Sequence, residues 1–417
     1  MTESWGRYPP ARHALEVPLR WRDEARIPLL RPVLPHGQGR SYGDCCLNEG
    51  GVLLRTSGLD RFISFDAGGV LRCEAGLTLG EILEFAVPRG FFLPVLPGTR
   101  HISVGGAIAN DIHGKNHHRA GSFGRHVRRL ELLRSDGERR EHEPGDALFA
   151  ATVGGLGLTG LVTWAEIALV PVPGPGVQVE AIPFAGLEEF FAISDESDAR
   201  CEYTVAWLDV LAASHRGIFF RGHHAPGEIR PPRARATVPF DVRLVNAFTV
   251  RAFNAAYYAA QRLAAGKRLV HYDPFFFPLD GVARWNRLYG KRGFLQFQCV
   301  VPTRDGIRAV LDEAARLGSG SPLTVLKKFG DLPSPGMLSF PRPGFTVAID
   351  LPNRGEPTFA QFERLEKLAV EAGGALYPAK DARMSAETFA RSYPRLSEFE
   401  RFVDPAFSSS FWRRVAR

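Results

Sequence analysis

Apolar positions along this chain recur at two spacings, and each spacing predicts a different element. Phe62 to Phe65 and Val70 to Glu74 alternate on either side of Asp66-Ala67-Gly68-Gly69, which predicts a hairpin. Val52 to Arg55 predicts a further strand. Leu79, Ile82, Leu83 and Ala86 fall on one helical face behind Thr78, a capping residue, and Arg89-Gly90 stops that helix. Val127 to Arg134 runs into Ser135-Asp136-Gly137, a second hairpin turn. Val162 to Val170 reads as a strand that ends in Pro171, Pro173 and Pro175, and prolines at that density end regular structure. A domain boundary is therefore expected near residue 175, followed by a mixed α/β region from 176 to about 375. Within it, residues 294–301 (FLQFQCVV) and 345–350 alternate as strands, while 307–317 and 357–372 have helical spacing. The alternation leaves open which way Gln296 and Gln298 point.

Composition adds a bound. The chain has 417 residues, room for two or three domains, and 45% hydrophobic with 23% charged residues supplies a sizeable core. Forty-three glycines and 31 prolines favour a loop- and strand-rich fold over a helical bundle. The net charge of +7 comes from arginines spread along the chain, which suits a solvated surface or attraction to an anionic substrate or membrane surface. No basic helix, zinc spacing or RNP-like pattern points to nucleic acid. Five cysteines without a CxxC suggest neither a disulfide framework nor a zinc ribbon. No basic stretch followed by an apolar one opens the chain, and no apolar run approaches roughly 18 residues. The expected location is cytoplasmic or peripheral to a membrane.

Candidate chemistry lies in three glycine-rich stretches. Residues 97–123 (PGTRHISVGGAIANDIHGKNHHRAGSF) have too little bulk to build a core, and His36 to Asp44 (HGQGRSYGD) has the same texture. Glycines let backbone N–H groups turn toward an anion, so these two loops are expected to close on one phosphate-bearing cofactor. The literal GxGxxG lies at Gly155 to Gly160, but strand formers and then prolines occupy the place of the helix that a Rossmann site needs. His113 and His117 are four apart, as on a metal-binding helix, yet Gly114 argues against that helix and no metal is expected.

The runs GRSYGD, SVGGAIANDIHGKNHHRAGSFG and GLGLTG resemble the FAD-binding domain of the vanillyl-alcohol-oxidase superfamily. The likeness is strongest to decaprenylphosphoryl-β-D-ribose 2-oxidases, and later segments agree: YTVAWLDVLA from Tyr203, FFFPLDGVARWNRLYGKRGFLQFQ from Phe275, VLKKFG from Val325 and LYPAKDARMSAETF from Leu376. The resemblance implies an α+β fold. An FAD-binding domain over 1–175 would be completed by 376–417, and a substrate domain over 176–375 would cover the flavin with an antiparallel sheet. It implies that His36, Gly37, Gln38, Gly39, Arg40, Ser41, Tyr42, Gly43 and Asp44 hold the diphosphate. Gly98, Ser103, Val104, Gly105, Gly106, Asn110, Asp111, Ile112 and His113 would line the FAD, with Val162 and Tyr377 completing the site.

Two departures bear on the chemistry. Relatives with covalent flavin carry histidine where this chain has Arg40, which cannot form that bond, so non-covalent FAD is expected. Mycobacterial members carry a cysteine where this chain has Ala348. The implied reaction takes a secondary sugar alcohol to a ketone by hydride transfer to flavin N5. Lys380 is expected nearest the reacting hydroxyl, as base or polariser, with Tyr42 beside it, and Tyr289, Gln298 and Lys327 as substrate contacts. The resemblance further implies a polyprenyl-phosphate sugar as substrate, a separate NAD-dependent reductase as partner, peripheral membrane association, and oxygen or a quinone as electron acceptor. Oxidation of a soluble sugar, alditol, lactone or nucleoside is the alternative within the fold. Loops at 226–239 and 332–343, as a mobile lid or lipid-binding edge, would decide between them. A non-redox metal- or nucleotide-binding protein is the alternative of another class.

Overall fold

The hairpin forms where the alternation predicts it: strands Phe62–Phe65 and Val70–Glu74 pair antiparallel. Asp66 closes the turn by accepting from the N–H groups of Gly68 and Val70, both at 2.9 Å. A computed structural model describes this and the rest of residues 2–30, 32–227, 229–231 and 236–416. The hairpin is one edge of a five-stranded antiparallel sheet that continues through Leu161–Ala168, Val127–Leu133 and Arg139–His142. Helix Leu79–Ala86 starts in a capping box between Thr78 and Glu81, worth about 1 kcal/mol. It buries Leu79, Ile82, Leu83 and Ala86 in a core shared with Leu71 and Cys73 of the sheet. Gly90, at φ +79°, ends the turn that follows.

A three-stranded parallel sheet, Leu15–Pro18, Val52–Arg55 and Val33–His36, delivers His36 and the first glycine loop at its C-terminal end. Gly155 to Gly160 forms no helix, and the chain enters strand Leu161–Ala168 directly.

From Gly176 the chain builds an eight-stranded antiparallel sheet among the described residues. Its central members are Tyr203–Leu208, Val325–Phe329, Gly344–Pro352 and Phe294–Val301. Strand alternation splits its faces. Leu295, Phe297 and Cys299 join Ile307 and Leu311 of helix Arg304–Arg316 and Phe362 and Leu365 of helix Glu356–Glu371 in one core. Each such large side chain, fully buried, contributes about 1.5–3 kcal/mol. Gln296 and Gln298 take the other face. The C-terminal segment adds Ala375–Leu376 to the sheet edge beside Phe294–Val301. It then packs Phe389, Tyr393, Phe399 and Phe411 into the same core as Leu156 and Leu158.

All five cysteines are free. Part of the loop expected at 226–239, namely 228 and 232–235, lies outside the described residues. The loop at 332–343 is neither an open lid nor an exposed edge. Met337, Leu338, Ser339 and Phe340 are buried, Ser339 donates to the buried Asp111 carboxylate at 2.5 Å, and Arg342 donates to the Ser392 carbonyl at 2.8 Å. These partners are far away in sequence, so the proline-rich texture alone did not reveal them.

Candidate active site

The two glycine loops meet. A Cβ on Gly37 would lie 2.3 Å from Ser103 Oγ, and Ser103 Oγ caps helix Val104–Ala109 by accepting from the Gly106 N–H. A side chain at 37 would displace the Ser103 hydroxyl from its cap. Gly105 is held by its N–H to the Ala75 carbonyl at 2.7 Å. Between these loops and the open face of the large sheet lies a cavity of about 950 Å³.

Most of the predicted residues line it. His36 to Tyr42, Gly98, Ser103, Gly105, Gly106, Asn110, Ile112, His113 and Val162 form the loop side. Tyr289, Gln298, Lys327, Tyr377 and Lys380 form the sheet side. Gly43, Asp44, Val104 and Asp111 stand behind the wall instead. A Cβ on Gly43 would meet the Asp381 carbonyl, and Asp44 is paired with Arg414 at 2.8 Å. Val104 is core, and Asp111 accepts from the Gly124 N–H and from Ser339. These four brace the loops through buried partners.

The sheet side is set by register. Gln298 lies opposite Ala348 and Gln296 opposite Asp350, so these side chains share one face. The next strand places Lys327 opposite Thr346. Gln298 donates to His113 Nε2 at 3.1 Å and to Thr346 at 3.3 Å. Burial holds His113 well below the ordinary imidazole range, so the ring is neutral. With Nε2 accepting, its proton sits on Nδ1, which is buried without a partner, as is Asn110 Oδ1. A buried donor and a buried acceptor on the wall of a glycine-lined cavity fit a polar, planar cofactor.

Residues 377–381 turn from the edge strand into the cavity, fixed by the Tyr377 N–H to the Gln298 carbonyl and the Tyr42 N–H to the Ala379 carbonyl. Lys380 Nζ then lies 3.5 Å from the centre of the Tyr42 ring. Burial drives the Lys380 amine below its usual range, opposed by the Asp350 carboxylate. Burial drives Asp350 upward in turn, and Gln296 donates to it. Burial also lowers Lys327 to about 8 and Lys115 to about 7. Lys115 donates to the Phe276 carbonyl at 3.1 Å.

Lys115, Gln296 and Asp350 were missed from sequence. The signal for the latter two was a polar residue at every second place in otherwise apolar strands. His113 and His117 share no helix: His113 faces Gln298, and His117 packs on Phe329 at 4.4 Å. Among the described residues no group of three His, Cys, Asp or Glu side chains is placed to hold a metal.

Known proteins match along the same lines. A family described as an FAD binding domain matches residues 26–143. The decaprenylphosphoryl-β-D-ribose oxidase of Mycolicibacterium smegmatis is 39% identical over 92% of this chain and 89% of its own length. An uncharacterized protein of Streptomyces coelicolor is 33% identical over 81% of this chain and 100% of its own. The alditol oxidase of a Streptomyces species is 31% identical, over 33% of this chain and 34% of its own. The non-redox alternative falls with these matches.

Proposed function

The chain belongs to the decaprenylphosphoryl-β-D-ribose oxidase family, and on that footing we propose that it oxidises C2 of a polyprenylphosphoryl-β-D-ribose to the ketone. It is an FAD-dependent oxidoreductase acting on CH–OH groups. The observation that carries the finer reading is one cavity lined both by the glycine loops and by three lysines, Lys115, Lys327 and Lys380, whose amines burial lowers. In this reading residues 1–175 and 376–417 form a flavin domain of the vanillyl-alcohol-oxidase type, and 176–375 the substrate domain.

When bound, FAD supplies the hydride acceptor. The chain's own residues do the rest. Lys380 takes the proton of the reacting hydroxyl, because burial keeps its amine partly neutral at physiological pH. Asp350, held by Gln296, faces that amine and steadies the charge it gains. Gln298 and Tyr289 present polar groups to the sugar, and Lys327 as an ammonium ion attracts its phosphate. The sheet and the 377–381 turn exclude water around Lys380. A separate NAD-dependent reductase would consume the ketone.

Anaerobic bleaching of the flavin by a panel of polyprenylphosphoryl pentoses, free sugars and alditols tests this reading. Bleaching by the phosphoryl ribose alone is expected; bleaching by free alditols alone would assign the site to a soluble substrate. The signs of the pH effects differ. The rate of flavin reduction should rise as pH climbs through the lowered Lys380 range, because only the neutral amine accepts a proton. KM for the phosphorylated substrate should worsen above about pH 8, as Lys327 loses its charge, whereas KM for an unphosphorylated analogue should not. Parallel pH profiles for the two substrates would remove the phosphate role.

We propose further that the flavin is held without a covalent bond, since Arg40 offers no nucleophile and its guanidinium lies over the Trp5 ring at 4.3 Å. Acid precipitation should leave a colourless pellet and a yellow supernatant.

A further inference from the structure

Helix Ala247–Leu263 has two unlike faces. Its inner face is anchored: Val250 and Asn254 are buried, Asn254 donates to Asp209 at 2.9 Å, and Tyr257 packs on Trp207 at 4.7 Å. Its outer face carries Phe248, Ala252, Ala255, Ala259 and Leu263, one stripe on a helix of 3.6 residues per turn. All five are exposed, Phe248 by 80% and Leu263 by 91%. Single exposed apolar residues are ordinary, but a continuous stripe four turns long marks a contact surface.

The charge around the stripe is of one sign. From Val242 to Tyr272 the sequence has no Asp or Glu, but has Arg243, Arg251, Arg262, Lys267 and Arg268. Arg251 and Arg262 project beside the stripe at its edge by helical angle. An apolar stripe flanked by Arg251 and Arg262, on a helix without a carboxylate, matches an anionic lipid surface, whose acyl region takes the stripe and whose headgroups meet the arginines. A protein partner would need an apolar groove for Phe248 and Leu263 with acidic groups placed against Arg251 and Arg262, whereas an anionic bilayer supplies both together. No helix among the described residues is long and apolar enough to cross a membrane, so this one would lie in the interface plane.

The same helix borders the active site. Thr249, Val250, Phe253 and Tyr257 line the cavity that holds Lys380, and Phe253 is also 46% exposed, so the cavity reaches the surface beside the helix. We infer that helix Ala247–Leu263 docks the enzyme on an anionic bilayer by its outer face, with the cavity opening beside the helix. Docking rests on the helix alone; only the idea that a lipid-linked sugar enters there rests on the function proposed above.

The test is co-sedimentation of the flavin-loaded full chain with vesicles of phosphatidylcholine, with and without phosphatidylglycerol. The wild type should bind the anionic vesicles and release in high salt. Phe248→Glu combined with Leu263→Glu should cut binding about tenfold or more, with flavin content, melting temperature and turnover of a detergent-dispersed substrate unchanged. Arg251→Glu with Arg262→Glu should lower binding to the anionic vesicles only. A wild type left in the supernatant, or equal binding by the Phe248/Leu263 variant, overturns the inference. So does a dimer in light scattering that this variant dissociates, since the face would then belong to a second copy. Vesicle binding as expected, without bleaching by any lipid-linked sugar, would leave the docking in place and overturn only the substrate.

Discussion

Lys380→Ala should slow substrate-driven flavin reduction by about 10²–10⁴-fold while the purified protein stays yellow. The amine has no substitute in position. Tyr42 lies beneath it at 3.5 Å, burial raises that phenol well above its usual range, and Asp350 is held by Gln296. Lys327 lines the same cavity but enters it from a different strand. Anaerobic stopped-flow reduction, with the flavin spectrum as a check on cofactor content, separates loss of chemistry from loss of FAD. Lys380→Arg should stay slow, because a guanidinium keeps charge but does not accept a proton. Loss confined to kcat would place Lys380 at the reacting hydroxyl. A wild-type rate in the alanine variant would remove Lys380 from the reaction.

Arg414→Ala should lower folding stability by about 3–5 kcal/mol. Arg414 joins two carboxylates that are each 4% exposed, reaching Asp44 at 2.8 and 3.0 Å and Asp381 at 2.9 Å. Asp44 ends the first glycine loop, and Asp381 adjoins Lys380, accepting from the N–H groups of Arg383 and Met384. Without the guanidinium, two buried carboxylates face each other with no counter-charge. At roughly 2–4 °C per kcal/mol, a fall of about 10 °C in melting temperature is expected, together with weaker FAD retention.

The sign with pH is fixed. Burial already pushes the Asp44 carboxyl upward, and Arg414 opposes it. In the variant the folded-state value rises further above the unfolded one, so the added penalty is present at neutral pH and shrinks as pH falls through that raised value. Urea unfolding of both proteins at two pH values checks it. A deficit equal at both would mean that the carboxylates stay solvated.

Local patterns in the sequence read through to the structure. The Asp66 turn, the Thr78 cap, the Gly90 stop and the strand after Gly160 each depend on neighbours within a few residues, and each falls where expected. The glycine loops were legible because low bulk is itself a property of the sequence. The bracing roles of Asp44 and Asp111 were not, since their partners Arg414 and Ser339 lie hundreds of residues away. The same holds for the packed 332–343 loop.

The sequence by itself determined the elements, the two cradles and the family, because hydrophobic period, turn chemistry and residue identity are written locally. Only the tertiary structure decided that Gln296, Gln298 and Asp350 face the cavity and that Lys380 lies over Tyr42 beside them. A strand of period two has two equivalent faces, and what distinguishes them is the layer packed against each, which no single segment encodes.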